Sequence, residues 1–193
     1  MTYKNSLVLF AIFMAAGFGG YLALQNGFYP AAIVNFNFIS AQEMNKTYFV
    51  AYRYFQNVLL SSGKDVKELE KRETRVELRR ATVNKLITDS LIYQELKRRI
   101  PGEFNAIAEK NINEYIKNNA DLEKGAKLLY GIDFSDFKEQ ILLPQAYQEI
   151  LEGRMFLNNE SFNDWLAKER SQAKIFILLP DLKWEKESII LRN

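Results

Sequence analysis

Residues 66–100 read VKELEKRETRVELRRATVNKLITDSLIYQELKRRI, and this stretch decides the fold. Val76, Val83, Leu86, Ile87 and Leu91 recur at steps of three, four and seven, which puts them on one stripe of a helix. The positions between them are crowded with Lys, Arg and Glu, and no Gly or Pro intervenes until Pro101 and Gly102 stop the run. A central helix from about Asp65 to Arg99 follows. It is too long for one neighbour to cover, so the flanking segments are expected to wrap around it.

Upstream, Ser40-Ala41-Gln42-Glu43 is a capping box, in which the Ser hydroxyl accepts from a backbone N–H three residues on and the Glu reaches back. A helix therefore opens at Ala41, carries Met44, Tyr48, Tyr52, Phe55 and Leu59 on one face, and ends at Ser61-Ser62-Gly63. Before it, Ala32 to Phe38 alternates Ile33, Val34, Phe36 and Phe38 with Asn35 and Asn37 and reads as a brief strand. Downstream, helices are expected over 103–118, over 122–130 with a left-handed Gly131 cap, and from Asp133 or Ser135 to Leu151, the last bent at Pro144. A further helix carries Phe162, Trp165 and Leu166, and residues 174–179 read as a strand closed by Pro180. The two strands at opposite ends of a helical domain are expected to pair, Ile33–Phe38 with Ile175–Leu179.

At 193 residues the chain is one domain plus appendages. A formal net charge of +2 is too small to point to nucleic acid. There is no Cys and no His, which removes disulfides, thiolate chemistry and the commonest general base and metal ligand. No charge occurs between Lys4 and Glu43, and residues 7–24 form an apolar and small-residue run. Roughly 18 to 20 such residues just cross a hydrocarbon core about 30 Å thick. Lys4 on the short side then orients the bulk of the chain outside the cytoplasm. A cleavable signal peptide and a buried core helix are the competing readings.

The order of these segments resembles the N-terminal domain of the SurA family of extracytoplasmic chaperones, a SurA N-terminal and trigger-factor-like peptide-binding group. Ile33-Val34-Asn35 with residues 38–44 (Phe-Ile-Ser-Ala-Gln-Glu-Met) is similar to its strand, turn and helix opening. Residues 79–95 resemble its long-helix signature, and Tyr130-Gly131, residues 134–138 and Leu143-Pro144 resemble its later helices. The family's turn usually holds a Gly where Phe36 stands here. Many relatives carry parvulin-type isomerase domains built on paired histidines and a cysteine. This chain has neither residue type, and no room for such a domain is expected after the last strand.

The fold class expected is thus mainly α: a transmembrane signal-anchor helix within residues 1–30, a SurA-N-like multi-helix domain over 31–179 with a short two-stranded sheet joining its ends, and a tail over 180–193. Glu73/Glu77 and Asp89/Glu95 read as solvated helix faces rather than acid/base pairs. Arg72, Arg75, Arg79 and Arg80 are interleaved with Glu and read the same way. No phosphate loop, nucleophile elbow or metal cluster is visible, so no catalytic residue, metal or cofactor is expected. The aromatic face of Met44, Tyr48, Tyr52, Phe55 and Leu59 is either core or a groove for apolar segments, since aromatic and Met side chains bury area without fixed polar geometry.

The apolar N-terminal run, the helical order and the resemblance together lead to the expectation of an ATP-independent, membrane-anchored chaperone on the outer side of the cytoplasmic (inner) membrane. Its partners would be unfolded or exported polypeptides and the membrane, with no nucleic acid and no small-molecule substrate. The alternatives are a structural partner of one folded envelope or membrane protein and, by family label only, a peptidyl-prolyl isomerase.

Overall fold

The computed structural model describes residues 13, 14, 17, 18, 20, 21 and 24–192. Strand β1 (Pro30–Val34) turns directly into β2 (Asn37–Ser40), and helix α1 (Ala41–Ser61) starts where β2 ends. The Ser40 hydroxyl accepts from the Glu43 N–H at 3.0 Å and fixes that start. A 3-10 turn (Val66–Glu70) leads to α2 (Arg72–Arg99), then α3 (Phe104–Asn118). Helix α4 (Leu122–Gly125) runs into a π turn (Ala126–Tyr130), and α5 (Phe134–Phe137) runs through a second π turn (Lys138–Leu142) into α6 (Leu143–Leu157). Helix α7 (Phe162–Gln172), β3 (Ile175–Ile177) and the hairpin β4 (Leu182–Glu185) and β5 (Ser188–Leu191) complete the chain.

The core is organised around α2, whose 28 residues span about 42 Å at 1.5 Å each. Leu78, Val83, Leu86, Ile87, Leu91, Ile92 and Leu96 are buried along it. Ile87, Ile92, Leu96, Leu151 and Met155 are among the largest fully enclosed side chains. The helix starts later than its charge pattern suggests. Asp65 accepts from the Lys67 N–H, the 3-10 turn sends Leu69 into the core, and Lys71 is extended before α2 begins.

The two-stranded sheet expected between the chain ends is corrected to three strands in the order β2-β1-β3, all antiparallel. The stretch read as one strand bends back at Asn35 (φ 50°) and Phe36 (φ 71°), a two-residue turn of the kind that matches strand twist. A left-handed Phe is costly, and Asn35 holds the turn from both sides. Its side chain accepts from the Lys174 N–H at 2.9 Å and donates to Gln94 Oε1 at 3.2 Å. Ala32 pairs with Ile177 and Val34 with Ile175, so one sheet face, with Ile39, packs into the core. The other face aligns Phe38, Ile33 and Phe176 in one row, and both phenylalanines are exposed.

The transmembrane signal anchor, with its single-pass inner-membrane location and extracytoplasmic bulk, is corrected as well. Among the described residues no helix is long and apolar enough to cross a membrane. Gly17, Gly19, Gly20 and Tyr21 dilute the run, and Gln25 and Asn26 close it, so its apolar length only grazes the requirement. Most of residues 7–24 lie outside the described residues. Those that are described, Phe13, Met14, Gly17, Phe18, Gly20, Tyr21 and Leu24, are exposed and form no part of the core.

Pro144 lies within one continuous helical run from Phe134 to Leu157, just after the π turn. It follows directly on that turn at the junction with α6, and the turn absorbs the change in hydrogen-bond spacing that a missing N–H requires. Residues 180–193, read from the sequence as a tail, contain the β4–β5 hairpin, whose Leu182 and Ile189 belong to the core.

Candidate functional site

A cleft of about 560 Å3 runs beside β2. One wall is β2 itself with the first turns of α1, a second is the middle of α2, and the third is the π turn before α6 with the start of α6. Phe38 stands at one side, exposed to solvent. Tyr93 and Tyr147 stand together at another, their rings 5.9 Å apart and each 5.4 Å from the buried Phe104. The Tyr147 hydroxyl donates to Asn105 Oδ1 at 2.7 Å, which fixes that ring.

Charged groups belong to the same lining. Lys85 donates to Asp89 one helical turn on, and the two form an ion pair on α2. Burial pushes the Asp89 carboxyl above its ordinary pKa, against the opposing pull of Lys85. Glu43 is also raised, first by burial and further by the charges of Asp89 and Glu139, while its backbone hydrogen bond at Ser40 and the charge of Lys85 oppose the rise. Lys46 completes the charged lining. The cleft is therefore amphipathic, with aromatic and ionic groups in one lining. Such a lining can hold alternating apolar and polar side chains. Among the described residues no group of His, Cys, Asp or Glu could hold a metal ion.

The carboxylates weighed from the sequence lie apart. Glu77 clasps Arg80, and Glu95 is buried under Arg98 and Arg99, away from the cleft. Asp89 does face the cleft, but its carboxylate neighbours there are Glu43 and Glu139. Of the basic run, Arg79 pairs with Asp181 and Arg80 with Glu77.

The aromatic face of α1 is graded from inside to outside. Met44 is in the core. Tyr48 packs on the core from a half-buried position and stacks on Tyr52, ring centres 6.4 Å apart. Leu59 is half-buried, and Phe55 is exposed with its edge toward Tyr54. None of these five lines the cleft. The cleft takes Gln42, Glu43, Lys46 and Thr47 from the adjoining face of α1. Glu43 was visible in the sequence only as half of the capping box, and its closeness to Asp89 and Glu139 has no local signature.

Comparison of the chain with protein families, with curated proteins and with solved structures finds no match.

Proposed function

We propose that the chain is an ATP-independent, chaperone-like protein that holds extended segments of non-native polypeptides. The observation that carries this is the open cleft beside β2, with aromatic and ionic lining in one groove. Aromatic side chains offer contact area without demanding one partner sequence, and flexible polar groups tolerate varied side chains. The likeness of residues 33–157 to the SurA N-terminal domain supports the same reading and is proposed with it. No bond-making step is assigned. A second reading, a scaffold for one folded partner, is favoured by the exposed Phe38 and Phe176 that flank half-buried Ile33, a row which a flat apolar surface could cover.

Aggregation of a chemically denatured client on dilution tests the proposal. The full chain at several-fold excess is expected to suppress light scattering. Phe38→Asp is expected to lose that effect with unchanged thermal unfolding, since Phe38 is 71% exposed. No suppression by the parent chain overturns the proposal. A single saturable complex with one folded protein, and indifference to unfolded clients, selects the scaffold instead.

A further inference from the structure

β2 lies at the end of its sheet, with β1 on one side and, among the described residues, no strand on the other. Val34 and Asn37 close the two-residue turn and so form a hydrogen-bonded pair. Bonded and non-bonded pairs alternate in an antiparallel ladder, which places Ile33 and Phe38 at the non-bonded position. The N–H and C=O of Phe38 therefore point away from β1. Phe38 and the rest of β2 line the cleft, so the open edge and the cavity adjoin. Edges that must avoid pairing usually carry a Lys, a Pro or a charge, whereas Asn37-Phe38-Ile39-Ser40 carries none and is guarded only by its shortness.

The opposite walls say which segment fits. α1 contributes Glu43 and Lys46, α2 contributes Lys85 and Asp89, and the π turn contributes Glu139. Lys85 is taken up by Asp89, and Glu43 feels both Asp89 and Glu139 as like charges. Three carboxylates against two ammonium groups leave the cleft acidic. In the same lining, the Oε1 atom of Gln140 is buried without a hydrogen-bond partner among the described residues. It lacks a donor.

We propose that the cleft takes an extended polypeptide segment as an added strand on β2, with a Lys or Arg side chain of that segment seated among Glu43, Asp89 and Glu139. This rests on the polypeptide-binding reading above and specifies its mode. Main-chain bonds to a strand edge give affinity that tolerates varied sequence, while alternate side chains give register. A basic side chain supplies the donors that the carboxylates and Gln140 lack, and its long stem lies along Tyr93 and Tyr147.

The test uses the full chain and a fluorescent peptide of about ten residues, enough for one strand, alternating Thr and Val around a central Arg. Fluorescence anisotropy reads the affinity. N-methylation of alternate amides in the register facing β2 is expected to weaken binding roughly tenfold or more, and methylation in the other register to leave it unchanged. Replacing the central Arg by Glu, or Glu139→Lys in the protein, is expected to weaken it several-fold without altering thermal unfolding. Equal affinity of both methylated peptides and the parent overturns strand addition, and so does tighter binding of the Glu peptide. A parent peptide that fails to bind, while client aggregation is still suppressed, overturns strand addition alone. Failure of both removes the polypeptide-binding reading too. A dimer through this edge that the peptide cannot dissociate, seen by sedimentation, also overturns it.

Discussion

Glu95 and Asp89 lie on the same helix, and burial raises both, yet their net pKa shifts have opposite sign. Glu95 is 5% exposed. Burial alone would raise its pKa, but hydrogen bonds from Arg98 and Arg99 outweigh that, and the net shift is downward. Arg99 also reaches Glu160 ahead of α7, so this ion cluster ties α2 to the α6–α7 junction. Asp89 has one ammonium partner, Lys85, and burial wins: its pKa is raised. A lowered carboxyl binds fewer protons folded than unfolded, so its contribution is present above the ordinary value of 4.5 and lost as pH falls through the folded value. A raised carboxyl binds more protons folded, so stability falls as pH climbs from the ordinary 3.8 through the folded value. Glu95→Gln is therefore expected to cost about 2–3 kcal/mol at neutral pH, the cost of stranding charged partners, and much less below the Glu range. Asp89→Asn is expected to lose part of the stability gain that the parent shows on mild acidification. Urea unfolding of both variants across that pH range reads the two slopes, and slopes of equal sign would contradict this account.

Where helices break, the reason is tertiary. The π turn Ala126–Tyr130 leaves carbonyls out of the regular ladder, and Asn57 of α1 donates to two of them, Leu128 O and Leu129 O, both at 2.9 Å. Gly131 then ends the segment at φ 68°. Asn57→Ala is expected to cost about 1–2 kcal/mol, with hydrogen exchange quickening first around 126–131 rather than along α2. Unchanged exchange there would mean that the π turn needs no support from α1. The same dependence explains what the sequence could show. The stripe of α2 and the Ser40 cap of α1 were readable because spacing and a local side chain determine them. The π turns were not, because Asn57 sits 71 residues from Leu128. The alternation of residues 32–38 did not show the β1–β2 turn, which only the resemblance placed at Phe36; its left-handed backbone is held by Asn35 through Lys174 and Gln94, contacts no local pattern announces. The cleft was hidden for the same reason, since its charges come from α1, α2 and the turn before α6. Only the aromatic spacing of α1 was visible, and it marks a neighbouring face.

At the scale of the molecule, the two ends of the described chain close over α2. β1 pairs with β3 across more than a hundred residues, and the β4–β5 hairpin lies on the N-terminal half of α2. Arg79 bonds Asp181 at 2.7 Å, and Arg170 of α7 donates to Asn84 Oδ1 at 2.6 Å while its guanidinium stacks on the Trp184 ring at 5.1 Å. Leu182 is fully buried and Leu191, across the same hairpin, is 52% exposed. If the hairpin were an appendage, truncating either leucine would matter little. If it seals the core, the two must differ: Leu182→Ala is expected to cost about 3 kcal/mol, as large-to-small changes in packed interiors do, and Leu191→Ala about 0.5 kcal/mol or less. The cleft supplies the second half of the test. Its walls hang on α2 and on the β2 edge, which β1 and β3 anchor, so loosening the seal at Leu182 should weaken polypeptide binding without any change in the cleft's own residues. Urea unfolding followed by circular dichroism, with client binding measured on the same samples below the transition, decides it. Leu182→Ala that unfolds like the parent, or that unfolds earlier but binds as well while folded, would separate the hairpin from the site it is argued to support.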